Sequence, residues 1–78
     1  MKYKIDFQYR DGSNYKDNIS KVIDPQEFPI VEKLKVDDTV CMEQVGVSPT
    51  EIPLIEQYGY GEDDHNILEV CCITLVKE

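Results

Sequence analysis

The chain has 78 residues and a formal net charge of −8, with 41% hydrophobic and 31% charged residues. That composition excludes wholesale disorder, and no apolar run approaches the ~20 residues that span a bilayer. A single domain, residues 1–78, is expected, with a small core, because a chain this short buries only about 60–65% of its unfolded surface.

The charge is unevenly divided. Residues 1–35 carry seven Lys/Arg and six Asp/Glu, whereas residues 36–78 carry ten acids and one base, Lys77. No Lys or Arg occurs between Val36 and Val76. Such a chain lacks the cations that direct nucleic-acid binding requires, and an anionic membrane would repel it. The opening Met-Lys-Tyr-Lys-Ile-Asp has no apolar signal-peptide region, so a cytoplasmic location is expected. Three cysteines, Cys41, Cys71 and Cys72, make a poor disulfide framework.

In chain order, Tyr3, Ile5, Phe7 and Tyr9 alternate with polar residues, the pattern of a strand with one wet face. Asp11-Gly12 signals a hairpin. A two-residue loop would set apolar side chains against polar ones. A three-residue loop, Arg10-Asp11-Gly12, keeps the apolar faces together, pairing Phe7 with Tyr15 and Tyr3 with Ile19. Gly12 then takes the left-handed position. The second strand spans about 14–23, and its polar middle, Lys16-Asp17-Asn18, marks a bulge or an edge.

Asp24-Pro25-Gln26-Glu27 reads as a helix start that Pro29 limits to one turn. Ile30–Val36 fits a strand or a short helix, and Asp37-Asp38 a turn. Thr39–Val45 reads as a strand ended by Gly46. Ser48-Pro49-Thr50-Glu51 resembles a capping box. Pro53 sits better in the first turn with Thr50 as cap, giving a helix over Glu51–Tyr58 closed by Gly59, with Ile52, Ile55 and Tyr58 on one face. Asn66–Val76 is apolar on both parities. Alternate strand residues face opposite sides, so this run predicts an interior strand covered on both faces, with at least one of Cys71 and Cys72 buried and inert. The expected fold class is α+β: a small, mainly antiparallel sheet built from an N-terminal hairpin, a middle strand and the C-terminal interior strand, with one short helix on one face. The expected core is Tyr3, Ile5, Phe7, Ile19, Val40, Ile55, Leu68, Val70 and Ile73.

Chemistry-bearing patterns are sparse. Glu62-Asp63-Asp64-His65 gathers three carboxylates and the single histidine, but it lacks the spacing of a calcium loop and reads as a solvated acidic loop. His65 with a cysteine would be a base and a nucleophile, yet no glycine-rich elbow accompanies any of the three cysteines. Gly59 and Gly61 have no following helix and lysine to make a phosphate loop. No metal, cofactor or catalytic residue is therefore expected, and the chain reads as a non-enzyme. The sequence favours a small acidic adaptor that engages a basic protein partner. Its expected contact surface is Tyr60, Glu62, Asp63, Asp64, Asp37 and Asp38, with Tyr60 as the apolar anchor. Three alternatives stand beside it: an acidic inhibitor imitating nucleic-acid charge, a small-ligand protein or enzyme, and a subunit that oligomerises through an exposed apolar edge strand. Solubility alone would also account for the acids.

Overall fold

A computed structural model of the chain describes residues 1–11, 15–59 and 66–77. Four antiparallel strands form a curled sheet of order β2-β1-β4-β3: β1 (Lys2–Asp11), β2 (Tyr15–Ile23), β3 (Thr39–Cys41) and β4 (Ile67–Val76). The segment between β2 and β4 folds over one face of the sheet. It contains 3₁₀ turns at Pro29–Lys33, Met42–Val45 and Pro49–Glu51, and one short helix, α1 (Pro53–Tyr58). The expected class, α+β with a mainly antiparallel sheet and one short helix, is the observed one.

Alternation in β1 decides which face is covered. Ile5, Phe7 and Tyr9 are buried, Asp6 and Gln8 between them are half-buried, and Lys4 and Arg10 flanking them face solvent. The hairpin register differs from the one expected. Asp11 lies opposite Tyr15, Phe7 opposite Ile19 and Tyr3 opposite Ile23, so the turn lies two residues later in the chain: β1 runs further and β2 starts later. Three residues still separate the strands, but they are residues 12–14, and the expectation for Gly12 falls outside the described residues. Parity survives the change, because moving the turn by two residues shifts every partner by four, an even number, which leaves every side chain on its original face.

The expectation for Asn66–Val76 is corrected in its physical cause. β4 is interior by pairing, with β1 on one side and β3 on the other. It is not covered on both faces. Leu68 and Val70 are buried, but Cys71, Cys72, Thr74 and Leu75 are exposed. The ladder with β1 slips between Asp6 and Phe7: Phe7 pairs with Val70, and Asp6 with Cys72. Cys71 is an extra residue, a β-bulge, which shifts the alternation by one. Leu68 and Val70 before it, and Ile73 and Leu75 after it, therefore face the same side, opposite Phe7, Ile5 and Tyr3. Apolar residues on both parities record this switch of parity, not a second cover. Both Cys71 and Cys72 lie between inward-facing Val70 and Ile73, so both thiols are directed to the wet face. The expectation that at least one is buried is overturned.

The covering layer is made of short turns because proline and glycine interrupt it repeatedly. The Asp24 carboxylate accepts from Gln26 N–H at 2.8 Å, and its carbonyl accepts from Glu27 and Phe28 N–H, closing one turn before Pro29. Pro29 then opens a 3₁₀ turn that buries Val31, resolving the ambiguous Ile30–Val36. The middle strand is shorter than expected: it ends at Cys41, and Met42–Val45 is a 3₁₀ turn that buries Met42 and Val45. In that turn the Gln44 side chain accepts the Cys41 N–H. Ser48, not Thr50, is the cap. Its hydroxyl accepts from Thr50 N–H while Glu51 accepts from Ser48 N–H at 2.6 Å. This capping box holds a single 3₁₀ turn, and α1 starts afresh with Pro53 in its first position, where the missing N–H costs nothing. Gly59 closes α1 at φ 80°, its N–H donating to Ile55 O. Ile52 and Ile55 are buried, but Tyr58, expected beside them, is exposed.

The core unites both layers: Ile5, Phe7, Tyr9, Ile23, Val40, Leu68 and Val70 from the sheet meet Val31, Met42, Val45, Val47, Ile52 and Ile55 from the cover. Of the residues expected in the core, Tyr3, Ile19 and Ile73 are only half-buried at its margin. Gly46 fits the cover to the sheet. It has φ 72°, and a Cβ there would lie 2.6 Å from the Phe28 ring, so both the backbone conformation and the close approach exclude a side chain.

Candidate interaction surface

Folding converts the charge imbalance along the chain into one between layers. Residues 24–59, which include the cover, carry eight Asp/Glu against Lys33 and Lys35. The three long strands carry four acids against Lys2, Lys4, Arg10, Lys16 and Lys21. In the cover Glu27, Glu32, Asp37, Glu43, Glu51 and Glu56 are all exposed. Asp24, Glu27 and Glu32 belong to this surface although they lie in the half of the sequence that is nearly neutral. Their lysine neighbours in sequence hid them, and the path of the chain puts them in the same segment between β2 and β4 as Asp37, Glu43, Glu51 and Glu56.

Two polar side chains of β2 reach inward and tie the cover down. Asp17 accepts from Leu54 N–H at 2.7 Å, satisfying a backbone donor in the first turn of α1 that has no intrahelical partner. Lys21 donates to Gly46 O at 2.6 Å and pairs with Glu51 at 3.0 Å. These contacts explain the polar middle of β2, which is an edge strand as one reading of it proposed. The Glu51 carboxyl is held below its ordinary pKa of 4.5, first by the Ser48 N–H and then by Lys21, with burial opposing. On the wet face, Gln8 donates to Asn18, Arg10 donates to Gln8 and Arg10 approaches Glu69 at 3.6 Å, a polar ladder across three strands. Cations of the first half thus neutralise Glu51 and Glu69.

Of the residues expected at the contact surface, Asp37 and Asp38 lie together in the turn between the cover and β3. Their roles differ. Asp38 accepts from Lys35 N–H through its carboxylate, at 2.9 Å, and is half-buried. It shapes the turn and has less left to offer a partner. Asp37 is exposed and takes φ 76°, a left-handed conformation that Asp tolerates better than most side chains. The turn is stitched to β4: Asp37 N–H donates to Val70 O and Val70 N–H donates to Asp38 O, each at 2.8 Å. Tyr60, Glu62, Asp63 and Asp64, with His65, lie outside the described residues.

Among the described residues no three His, Cys, Asp or Glu side chains converge in a way that would hold a metal ion. Two open clefts flank Asp24. One is lined by Lys21, Ile23, Glu27, Phe28 and Gly46, the other by Met1, Lys2, Pro25, Gln26 and Glu32. Both mix carboxylates with lysine, and neither joins a thiol or hydroxyl nucleophile to a base. No described helix is long and apolar enough to cross a membrane. The fold and surface define a four-stranded α+β domain with an acidic cover. No protein-family model, curated protein or solved structure matches the chain.

Proposed function

We propose that the protein is a small non-enzymatic binding module whose acidic cover engages a basic surface of a protein partner. The observation that carries this reading is the division of charge between layers: the segment over the sheet bears exposed carboxylates from Glu27 to Glu56 against two lysines, and the long strands hold most of the cations. A field of one sign over one side steers a complementary partner and orients it on approach.

The test uses a triple charge reversal, Glu27→Lys/Glu43→Lys/Glu56→Lys, on exposed positions of the cover. Wild type and variant serve as baits in affinity capture, and the partner enriched by wild type is then titrated at about 50 and 300 mM salt, where screening lengths differ more than twofold. The reading expects a basic protein whose association slows with salt and whose affinity falls at least about tenfold in the variant. Equal affinity of variant and wild type, without salt dependence, would leave the acids with solubility as their sole role. The spread of carboxylates along the cover, rather than in one cluster, favours a narrower second reading: an inhibitor that occupies the nucleic-acid cleft of its partner. Duplex DNA would then displace the protein in competition, whereas an adaptor bound elsewhere would stay on.

A further inference from the structure

The two edges of the sheet are built differently. β2, the outer strand on one side, carries Lys16, Asp17 and Lys21 along its nine residues, charges that discourage a second strand from pairing with it. The other side is closed only in part. β3 covers Ile67–Glu69, and the Asp37-Asp38 turn adds Val70. Beyond Val70 no described strand pairs with β4 on the side away from β1. The residues left open are Cys71-Cys72-Ile73-Thr74-Leu75-Val76, with no charge, no proline and no glycine, and rich in β-branched residues. An edge of this composition is a template for strand addition.

From this edge we propose that the protein forms a two-fold symmetric dimer in which β4 pairs antiparallel with β4 of a second copy, centred on Thr74. The register follows from the faces. Opposed residues of an antiparallel pair share a face. With Thr74 opposite its own copy, Ile73 meets Leu75 on the covered side, twice by symmetry, and Cys72 meets Val76 on the wet side. Both copies then turn their covers to the same side of one continuous sheet. The backbone agrees. Val70 directs its N–H and C=O away from β1, toward the Asp37-Asp38 turn. With the bulge at Cys71, alternation directs the N–H and C=O of Ile73 and Leu75 to the open side, where the second copy receives them. Leu75, 43% exposed, is covered in the process.

A second copy fits this edge better than a basic partner does. Between Glu69 and Lys77 there is no charge for such a partner to read, whereas an uncharged stretch allows two chains of net charge −8 to meet without opposing carboxylates. Pairing one copy's β4 with another's β2 would place charged residues against an apolar edge. The interface is therefore isologous and closes at two copies instead of propagating as a fibre. Six residues per strand make a small interface, so the dimer is weak, with dissociation in the micromolar range or above. Salt separates this assembly from the acidic-cover reading, because screening strengthens self-association of like-charged chains and weakens capture of a basic partner.

The experiment is sedimentation velocity of the purified chain over a concentration series up to roughly millimolar, at low and high salt. It uses wild type and Thr74→Lys, which sets two ammonium groups face to face on the axis. Thr74 is exposed, so the variant's denaturation midpoint checks that it folds. A second arm uses Thr74→Cys in a Cys41→Ser/Cys71→Ser/Cys72→Ser background under mild oxidation. Directly opposed Cα atoms of an antiparallel pair lie within disulfide reach. Asn18→Cys on β2 is the control. The expected result is a mass that doubles with concentration, at lower concentration in high salt, and stays at 9.0 kDa in Thr74→Lys, with a covalent dimer through Thr74→Cys alone. A monomer throughout would overturn the proposal. So would a dimer indifferent to Thr74→Lys, or cross-linking through Asn18→Cys as efficient as through Thr74→Cys.

Discussion

The two halves of β4 are almost equally apolar in sequence and have opposite fates. Ile67–Val70 is paired on both sides and places Leu68 and Val70 in the core, at 0% and 1% exposure. Among the described strands Cys72–Val76 pairs with β1 alone, and Leu75 remains 43% exposed. Apolar composition sets what burial would gain, at about 25 cal/mol per Å², but neighbours decide whether it is gained. Here the cover and β3 both stop short of the second half, and the bulge at Cys71 marks the border.

The largest effect that can test this contrast is truncation on either side of the border. Leu68→Ala removes a fully buried side chain and should cost about 2–5 kcal/mol. Leu75→Ala should cost less than about 1 kcal/mol in the monomer, since much of the side chain is already in water. Urea denaturation of both at low protein concentration checks the pair, and equal losses would mean that the second half is covered after all. The cover is tested at its tightest point by Gly46→Ala. A left-handed non-glycine residue costs about 1–2 kcal/mol, and crowding the Phe28 ring adds about 1–3 kcal/mol. A midpoint within error of wild type would show that Phe28 yields without cost.

A smaller, pH-dependent effect belongs to the Lys21–Glu51 tie between β2 and the cover. The folded pKa of Glu51 is depressed, so its contribution to stability is present above its ordinary value of 4.5 and is lost as pH falls through the lower folded value. Glu51→Gln should therefore be less stable than wild type at neutral pH, with the gap narrowing below about pH 4.5. A gap constant with pH would remove the charge from the explanation. The thiols give the least costly test, since labelling need not change stability at all. Cys71 and Cys72 should react with a polar alkylating reagent at rates near those of exposed thiols in the native protein, while half-buried Cys41 lags. Protection of Cys72 that rises with protein concentration would place it beneath the second copy's Val76.

Much of the sheet was legible because β1 alternates regularly, which states a face for each of its residues, although the hairpin kept only its parity and not its expected register. Legibility failed where one residue altered the count. Nothing at Cys71 announces a bulge, since no glycine or proline marks it, and apolar residues on both parities suggest a second cover as naturally as a shift. The inward roles of Asp17 and Lys21 were unreadable for another reason: their partners, Leu54 N–H, Gly46 O and Glu51, lie 25–37 residues away. Of the candidate surface, the acids after Val36 could be read directly, because no lysine sits among them. Asp24, Glu27 and Glu32 join that surface only through the path of the chain over the sheet.

The bulge also sets where the chain tolerates a change in length. Loss of Glu69 or Thr74 would make two inward-facing neighbours consecutive and put one of them on the wet face. Loss of one of the two adjacent cysteines, Cys71 or Cys72, which yields the same chain, would bring Val70 and the remaining cysteine into a continuous ladder with Phe7 and Asp6 and leave every apolar side chain on its present face. The strand thus contains one residue that its register does not require. Between two stretches where length is strictly constrained lies a joint at which a codon can be lost while the inward pattern stays intact.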